Sequence, residues 1–262
     1  MDWKEKYGPW ALVTGASSGL GAEFIVQLAE RGLNLILVAR RKDRMDTLAQ
    51  QMRETHGIST RVIAVDLTSD GACDLVARET ADLEVGLLIN NAGYGLSGAY
   101  CDLDPQKQAN MTVLNCVVPV LLTNHFLPGM VERKRGGLIF LASTAAYQPT
   151  PYLGTYGATK AFNLMIGESL WHEYRGSGVD SLALSPGFTR TEFTDVANIQ
   201  DAGAFREATP DVVVAAGLRS LGKTPSVVHG LTNKVLAFSV RIMPRRLVMA
   251  ITGAALKGRT SN

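Results

Sequence analysis

Short apolar runs alternate with longer amphipathic stretches along this chain. Residues 11–14, 35–38, 62–65, 87–89, 138–141 and 182–184 are apolar at nearly every consecutive position. Strands of that kind need cover on both faces, which favours a parallel sheet between two helix layers over a half-exposed antiparallel one. Between the first two runs Leu20, Phe24 and Leu28 recur every four residues, and Gly32 stands where a helix would stop, predicting a helix over 19–31. Asp104 and Pro105 form an N-cap and first-turn pair that opens a long helix carrying Asn115 toward Met130. A further helix is predicted over 156–173. The expected fold class is α/β: a doubly wound, Rossmann-type parallel sheet of about seven strands with helices on both faces, in one domain spanning 1–262.

After Pro186 and Gly187 the periodicity lapses until Pro210, with Phe188, Phe193 and Phe205 scattered among polar residues. This predicts a substrate lid around residues 188–222. Leu231, Val235, Phe238 and Ile242 then mark an apolar helix stripe. Pro244 can open a last helix through Ala255, giving a C-terminal helical extension around residues 229–258.

Composition narrows the function classes. The 262 residues are 46% hydrophobic and 19% charged, ample for a core. A net charge of +2, with basic residues spread among acidic ones, speaks against nucleic acid as a partner. Cys73, Cys101 and Cys116 lack metal-like spacing, and His56, His125, His172 and His229 form no cluster, so free thiols and no metal are expected. The first residues lack the apolar stretch of a signal peptide, and no uninterrupted apolar run reads as membrane-spanning, so the expected location is cytoplasmic. Arg241, Arg245 and Arg246 beside the C-terminal stripe admit a peripheral membrane contact, although core or subunit packing accounts for the stripe more simply.

Two local patterns carry chemistry. Thr14-Gly15-Ala16-Ser17-Ser18-Gly19-Leu20-Gly21 lies between the first strand and first helix, where backbone amides and a helix N-terminus can meet a pyrophosphate. Its spacing differs from G-x-G-x-x-G, and a glycine-rich tight turn would look similar. The second strand ends in Arg40 and Arg41, where an acidic residue would accept a ribose 2′-OH. The doubly basic end suits a 2′-phosphate and so favours NADP(H) over NAD(H). Tyr156 and Lys160 are four apart on one helix face, which lets an ammonium stabilise a phenolate whose pKa would otherwise be ~10.

Residues 14–21, Asn90-Asn91-Ala92-Gly93, Ser143, Tyr156 with Lys160, and Pro186-Gly187 with Thr191 together resemble the short-chain dehydrogenase/reductase family, in order and at family-like intervals. The resemblance extends from Trp10 to about Thr191. Residues 6–11 and 156–173 look nearest the branch of 3-oxoacyl-CoA reductases and 17β-hydroxysteroid dehydrogenases. It implies hydride transfer between nicotinamide and a carbonyl or alcohol carbon, with Ser143 polarising the substrate oxygen and Tyr156 moving the proton. Lys160 would bind the nicotinamide ribose and lower the Tyr156 pKa, and Asn115 would hold a proton-relaying water. Cofactor contacts are implied for Gly15, Ser17, Ser18, Gly19, Leu20, Gly21, Arg40 and Arg41 on the phosphate side. Asp66 and Leu67 would lie near adenine, Asn90, Ala92 and Gly93 by the adenosine ribose, and Pro186, Gly187, Thr189 and Thr191 over nicotinamide.

Several of these have plainer readings: Asp66 as a cap, Asn90 and Asn91 as turn residues, Asn115 as a polar helix residue. The family also implies a homodimer or homotetramer through the helices of Asn115 and Tyr156. Other functions on this fold are a catalytically silent NADP(H) sensor or scaffold, and an epimerase or dehydratase.

Overall fold

The computed structural model describes residues 2–193, 197 and 207–257; Phe205 and the last residue of the expected C-terminal extension lie outside them. Each apolar run forms a strand: β1 (Trp10–Thr14), β2 (Asn34–Ala39), β3 (Thr60–Ala64), β4 (Val85–Asn90), β5 (Gly136–Leu141) and β6 (Val179–Ser185). A short edge strand, β7 (Ser226–Val228), completes the sheet; at three half-buried residues it is too brief to leave a periodicity. The order among the described residues is β3-β2-β1-β4-β5-β6-β7, with every neighbouring pair parallel.

Alternate strand residues feed two cores, as the period of two requires. Ala11, Val13, Leu35 and Leu37 pack with α2 (Gly19–Ala29) and α3 (Lys42–His56), which follow the short helix α1 (Trp3–Tyr7). Leu12, Ile36, Val38 and Leu88 pack on the other face with Val76 of α4 (Ala72–Glu79) and with α6 (Val118–Glu132). Full burial of each such side chain contributes about 1.5–3 kcal/mol. Because the order reverses beside β1, the connections leaving β1 and β4 diverge and open a crevice at their carboxyl ends.

Four expectations are altered. The long helix is not continuous: α5 (Pro105–Thr112), capped by Asp104 as expected, passes through a π-type bulge at Val113–Val117 before α6, with the Val118 N–H donating to Val113 O. Pro105–Glu132 as a whole is long and apolar enough to cross a membrane, a length the apolar runs alone did not reveal. Its Val118, Leu122, Phe126 and Met130 are instead buried against the sheet.

Residues 210–222 are no part of a lid. α8, after α7 (Gly154–Glu173), covers Pro210–Ser220 and sends Val213, Val214 and Leu218 into the first core, where Gln27 Nε2 donates to Asp211 O at 2.9 Å. Finally, α9 (Leu231–Ser239) and α10 (Arg245–Lys257) leave the predicted stripe facing out: Leu231, Val235, Phe238 and Ile242 are exposed, and Ile242 lies past the end of α9. The opposite sides of these helices turn toward the crevice.

Candidate active site

The crevice is a cleft of about 980 Å³. Its floor begins at the turn after β1. Gly15 adopts a left-handed conformation (φ 68°) while its N–H donates to Val38 O at 2.8 Å, tying the turn to β2. Thr14 Oγ1 donates to Ile89 O at 3.2 Å and accepts from the N–H groups of Asn91 (3.0 Å) and Ala92 (2.9 Å), which lashes the ends of β1 and β4 together. Space dictates the glycines. A Cβ on Gly21 would lie 2.1 Å from Gly15 O, and one on Gly15 would lie 2.8 Å from Asn91 Nδ2. Ser18, the N-cap of α2, makes no side-chain cap bond, which leaves first-turn amides of α2 directed toward the cleft.

Arg40 and Arg41 stand on the adjoining wall. Arg41 turns back over the glycine turn, donating to Ser17 Oγ (3.1 Å) and Ser18 Oγ (2.6 Å). Arg40 is well exposed, with Asp66 Oδ2 3.7 Å from its Nη1. Asp66 Oδ1 accepts from the N–H (3.0 Å) and hydroxyl (2.7 Å) of Thr68, so the capping reading describes its side chain. Burial raises the Asp66 pKa, but the Thr68 bonds and Arg40 outweigh it and hold the carboxyl below its ordinary value.

At the other end, Tyr156 and Lys160 rise from the first turns of α7 beneath the end of β5. Ser143 Oγ accepts from Ala145 N at 3.1 Å, and Ser143 stands near enough to the Tyr156 hydroxyl to lower its pKa. Lys160 Nζ donates to Leu141 O at 2.7 Å and lies 5.9 Å from the centre of the Tyr156 ring. Proximity to Lys160 was expected to lower the phenol pKa, and the structure differs: burial pushes Tyr156 up to about 12, against a smaller lowering by Ser143. Burial brings Lys160 down to about 8. The ammonium group is directed at a backbone carbonyl, so desolvation dominates both groups.

Gly15, Ser17 to Gly21, Arg40, Arg41, Asp66, Leu67, Ala92, Gly93, Ser143, Tyr156, Lys160, Pro186, Gly187, Thr189 and Thr191 all line the cleft. Asn90 and Asn115 do not. Asn90, the last residue of β4, points to the far face and donates from Nδ2 to Thr123 Oγ1 at 3.2 Å. Its neighbour Asn91 faces the glycine turn, with Nδ2 2.7 Å from Thr14 O. Strand alternation decides between them, and two adjacent asparagines hide which one faces in. Asn115 lies behind the wall. Its Nδ2 donates to Tyr94 O and Thr159 Oγ1, both at 3.0 Å, and its Oδ1 accepts from Tyr94 N. Its backbone carbonyl, released by the bulge, accepts from Asn163 Nδ2 at 2.8 Å.

Apolar side chains wall the Tyr156 end: Leu96, Leu153, Phe188 and Phe193, with Leu236 of α9, Met243 of the link that follows it, and Val248 and Ile251 of α10. The Phe193 ring lies 5.2 Å from that of Tyr156. Asn233 approaches so closely that a Cβ on Gly187 would be 2.3 Å from its Nδ2. Arg44, Glu192 and Asn233 carry no sequence motif, and Asn91 stood in one without a role of its own. The one local sign was a basic first turn on α3, against the helix dipole. Among the described residues, no group of three or more His, Cys, Asp or Glu side chains could hold a metal.

The family profile described as short chain dehydrogenase matches residues 9–202. The chain is 32% identical over 239 residues to 7beta-hydroxysteroid dehydrogenase of Collinsella aerofaciens, covering 89% of this chain and 90% of that one. It is 29% identical over 238 residues to very-long-chain 3-oxoacyl-CoA reductase of Homo sapiens (88% and 75%). It is also 29% identical over 249 residues to inactive hydroxysteroid dehydrogenase-like protein 1 of Homo sapiens (94% and 76%). Among solved structures, one from a study of 7beta-hydroxysteroid dehydrogenase stereoselectivity superposes with a TM-score of 0.90 at 30% identity, covering 97% of this chain and all of that one. A short-chain dehydrogenase from Sphingobium yanoikuyae in complex with NADPH gives 0.79 at 32% identity (90% and 94%).

Proposed function

The chain belongs to the short-chain dehydrogenase family, and from that premise we propose that it is an NADP(H)-dependent oxidoreductase acting on a bulky, apolar ketone or the matching secondary alcohol. The observation that carries this reading is the Tyr156 phenol, beside Ser143 and facing an apolar wall at one end of a cleft whose other end is a glycine cradle flanked by arginines. A dinucleotide fits the residues present: Gly15 and Gly21, which their close packing on Asn91 and on each other requires to be glycine, line the cleft at the N-terminus of α2, and Arg40 and Arg41 supply charge for a 2′-phosphate. When bound, the nicotinamide supplies or accepts the hydride.

The chain's own residues handle the oxygen and its proton. Ser143 and Tyr156 hold a carbonyl oxygen between two hydroxyls, stabilising the charge that develops there. With its pKa pushed up to about 12, Tyr156 keeps its proton at neutral pH and is poised as the donor in the reducing direction. Lys160 is proposed to reach the nicotinamide ribose and to favour the phenolate left behind. Asn115 contributes by clamping the Tyr94 backbone to Thr159 of α7, because both side-chain N–H donors and the side-chain oxygen are turned to those partners.

A pH dependence follows. Lys160, brought down to about 8, carries its charge below that value and loses it above. Reductive kcat/KM should therefore be level through neutrality and fall as pH rises past about 8, with Tyr156 protonated throughout. A rate profile from about pH 6 to about 10 checks this, and a flat profile to the upper end would remove the ammonium from the mechanism.

The apolar wall sets the substrate class, since an apolar pocket discriminates by shape and burial. NADPH consumption should be fastest with bulky ketones such as steroid or 3-oxoacyl substrates, slower with short ketones and polar aldehydes, and slower with NADH than with NADPH. The relative named as inactive gives a second reading, a silent NADP(H) sensor. Retention of Ser143, Tyr156 and Lys160 together disfavours it, and tight NADPH binding without turnover across the panel would establish it. A homo-oligomer accords with the exposed Val117, Leu121, Phe162 and Met165 on the helices that carry Asn115 and Tyr156.

A further inference from the structure

One carboxylate at the cleft has no part in the reaction proposed above. Glu192 belongs to the segment that follows β6, yet its side chain reaches the opposite wall. Oε2 accepts from Arg41 Nη1 at 2.7 Å and Oε1 from Arg44 Nη1 at 2.6 Å. Arg41 commits its remaining edge to the Ser17 and Ser18 hydroxyls. The glycine turn, the first turn of α3 and the segment after β6 therefore meet at one anion held by two guanidinium groups.

We propose that Glu192 occupies the place of the cofactor's 2′-phosphate and holds down the preference for it: a phosphate on the adenosine ribose has to displace its carboxylate from Arg41 and Arg44, and a ribose with a free 2′-hydroxyl does not. This rests on the NADP(H) reading above. Arg41 offers only its Nη1 edge beyond the serine bonds, and Glu192 takes it. A phosphate monoester carries about −1.5 to −2 charge at neutral pH. Seating it on the same two guanidinium groups with Glu192 still in place would set like charges side by side, whereas exchanging one anion for the other keeps both arginines paired.

The bridge is suited to exchange. Arg41, Arg44 and Glu192 are each about half exposed, at 43%, 52% and 47%, so solvent screens the pairs. The two arginines hold the Glu192 carboxyl at about 2, so it stays ionised, and competes, at every working pH. The exchange also reaches the substrate end, because Glu192 immediately precedes Phe193, whose ring packs against Tyr156.

Binding to the full chain separates the possibilities without turnover. Adenosine 2′,5′-bisphosphate and 5′-AMP are titrated calorimetrically into the wild type, Glu192→Gln and Glu192→Gln combined with Arg44→Gln. Removing the competing charge should tighten the bisphosphate by about threefold to tenfold, the factor expected for two exposed ion pairs. It should leave 5′-AMP unchanged, and the gain should shrink in the combined variant. The inference is overturned if the wild type prefers the bisphosphate but Glu192→Gln leaves its affinity unchanged or weakens it, or if both ligands tighten equally. If neither the wild type nor Glu192→Gln distinguishes the two ligands, the NADP(H) assignment falls, and this inference with it.

Discussion

Replacing Tyr156 with Phe should lower kcat by about 10²–10⁴-fold, or about 3 to 5 kcal/mol of barrier, while leaving NADPH affinity near the wild-type value. The substitution removes one hydroxyl and nothing else. The ring keeps its place against Phe193, and Ser143 Oγ keeps the bond it accepts from Ala145 N. Steady-state kinetics with a reducible ketone, beside a fluorescence titration of NADPH, separates chemistry from binding. Turnover close to wild type in the variant would remove Tyr156 as the proton donor.

The second large effect is expected at Gly21. Its φ is unexceptional for any residue, so the constraint is space: a Cβ there would lie 2.1 Å from Gly15 O, 2.7 Å from Gly15 C and 2.6 Å from Asn91 Nδ2. Two of these are backbone atoms of the turn itself, and the third belongs to the side chain that ties the turn to β4. Gly21→Ala therefore has to displace the turn. Overpacking of this kind costs about 1–3 kcal/mol, which for a domain of this size lowers Tm by about 2–4 °C per kcal/mol. The larger consequence is for the ligand, because the amides that would meet the pyrophosphate move with the turn. Thermal unfolding with and without NADP⁺ reads both effects. A lower Tm and a lost NADP⁺-induced shift are expected; an undiminished shift would show that the turn does not hold the cofactor.

The strand positions, the glycine turn and the Tyr156–Lys160 pair were legible because each is written in neighbouring residues. Burial on both faces demands consecutive apolar residues, a backbone that must come close demands glycine, and two side chains that share a helix face must be four apart. Asn90 and Asn115 were harder. Asparagine is equally at home lining a cleft and clamping a backbone, and only the end of β4 and the bulge at Val113–Val117 decide which each does. The C-terminal stripe shows the same limit. Its apolar period predicts a helix correctly, but the period cannot tell an inward face from an outward one.

The linear pattern by itself determined six of the seven strands, the helices beside them and the two patches of chemistry, because those depend on local periodicity and on what single residue types permit. Only the tertiary structure decided the ionisation of Tyr156 and Lys160, the separate orientations of Asn90 and Asn91, the apolar wall contributed by α9 and α10, and the bridge from Glu192 to Arg41 and Arg44. Desolvation and ion pairing depend on distance through space, and folding brings together residues whose separation along the chain carries no trace of that distance.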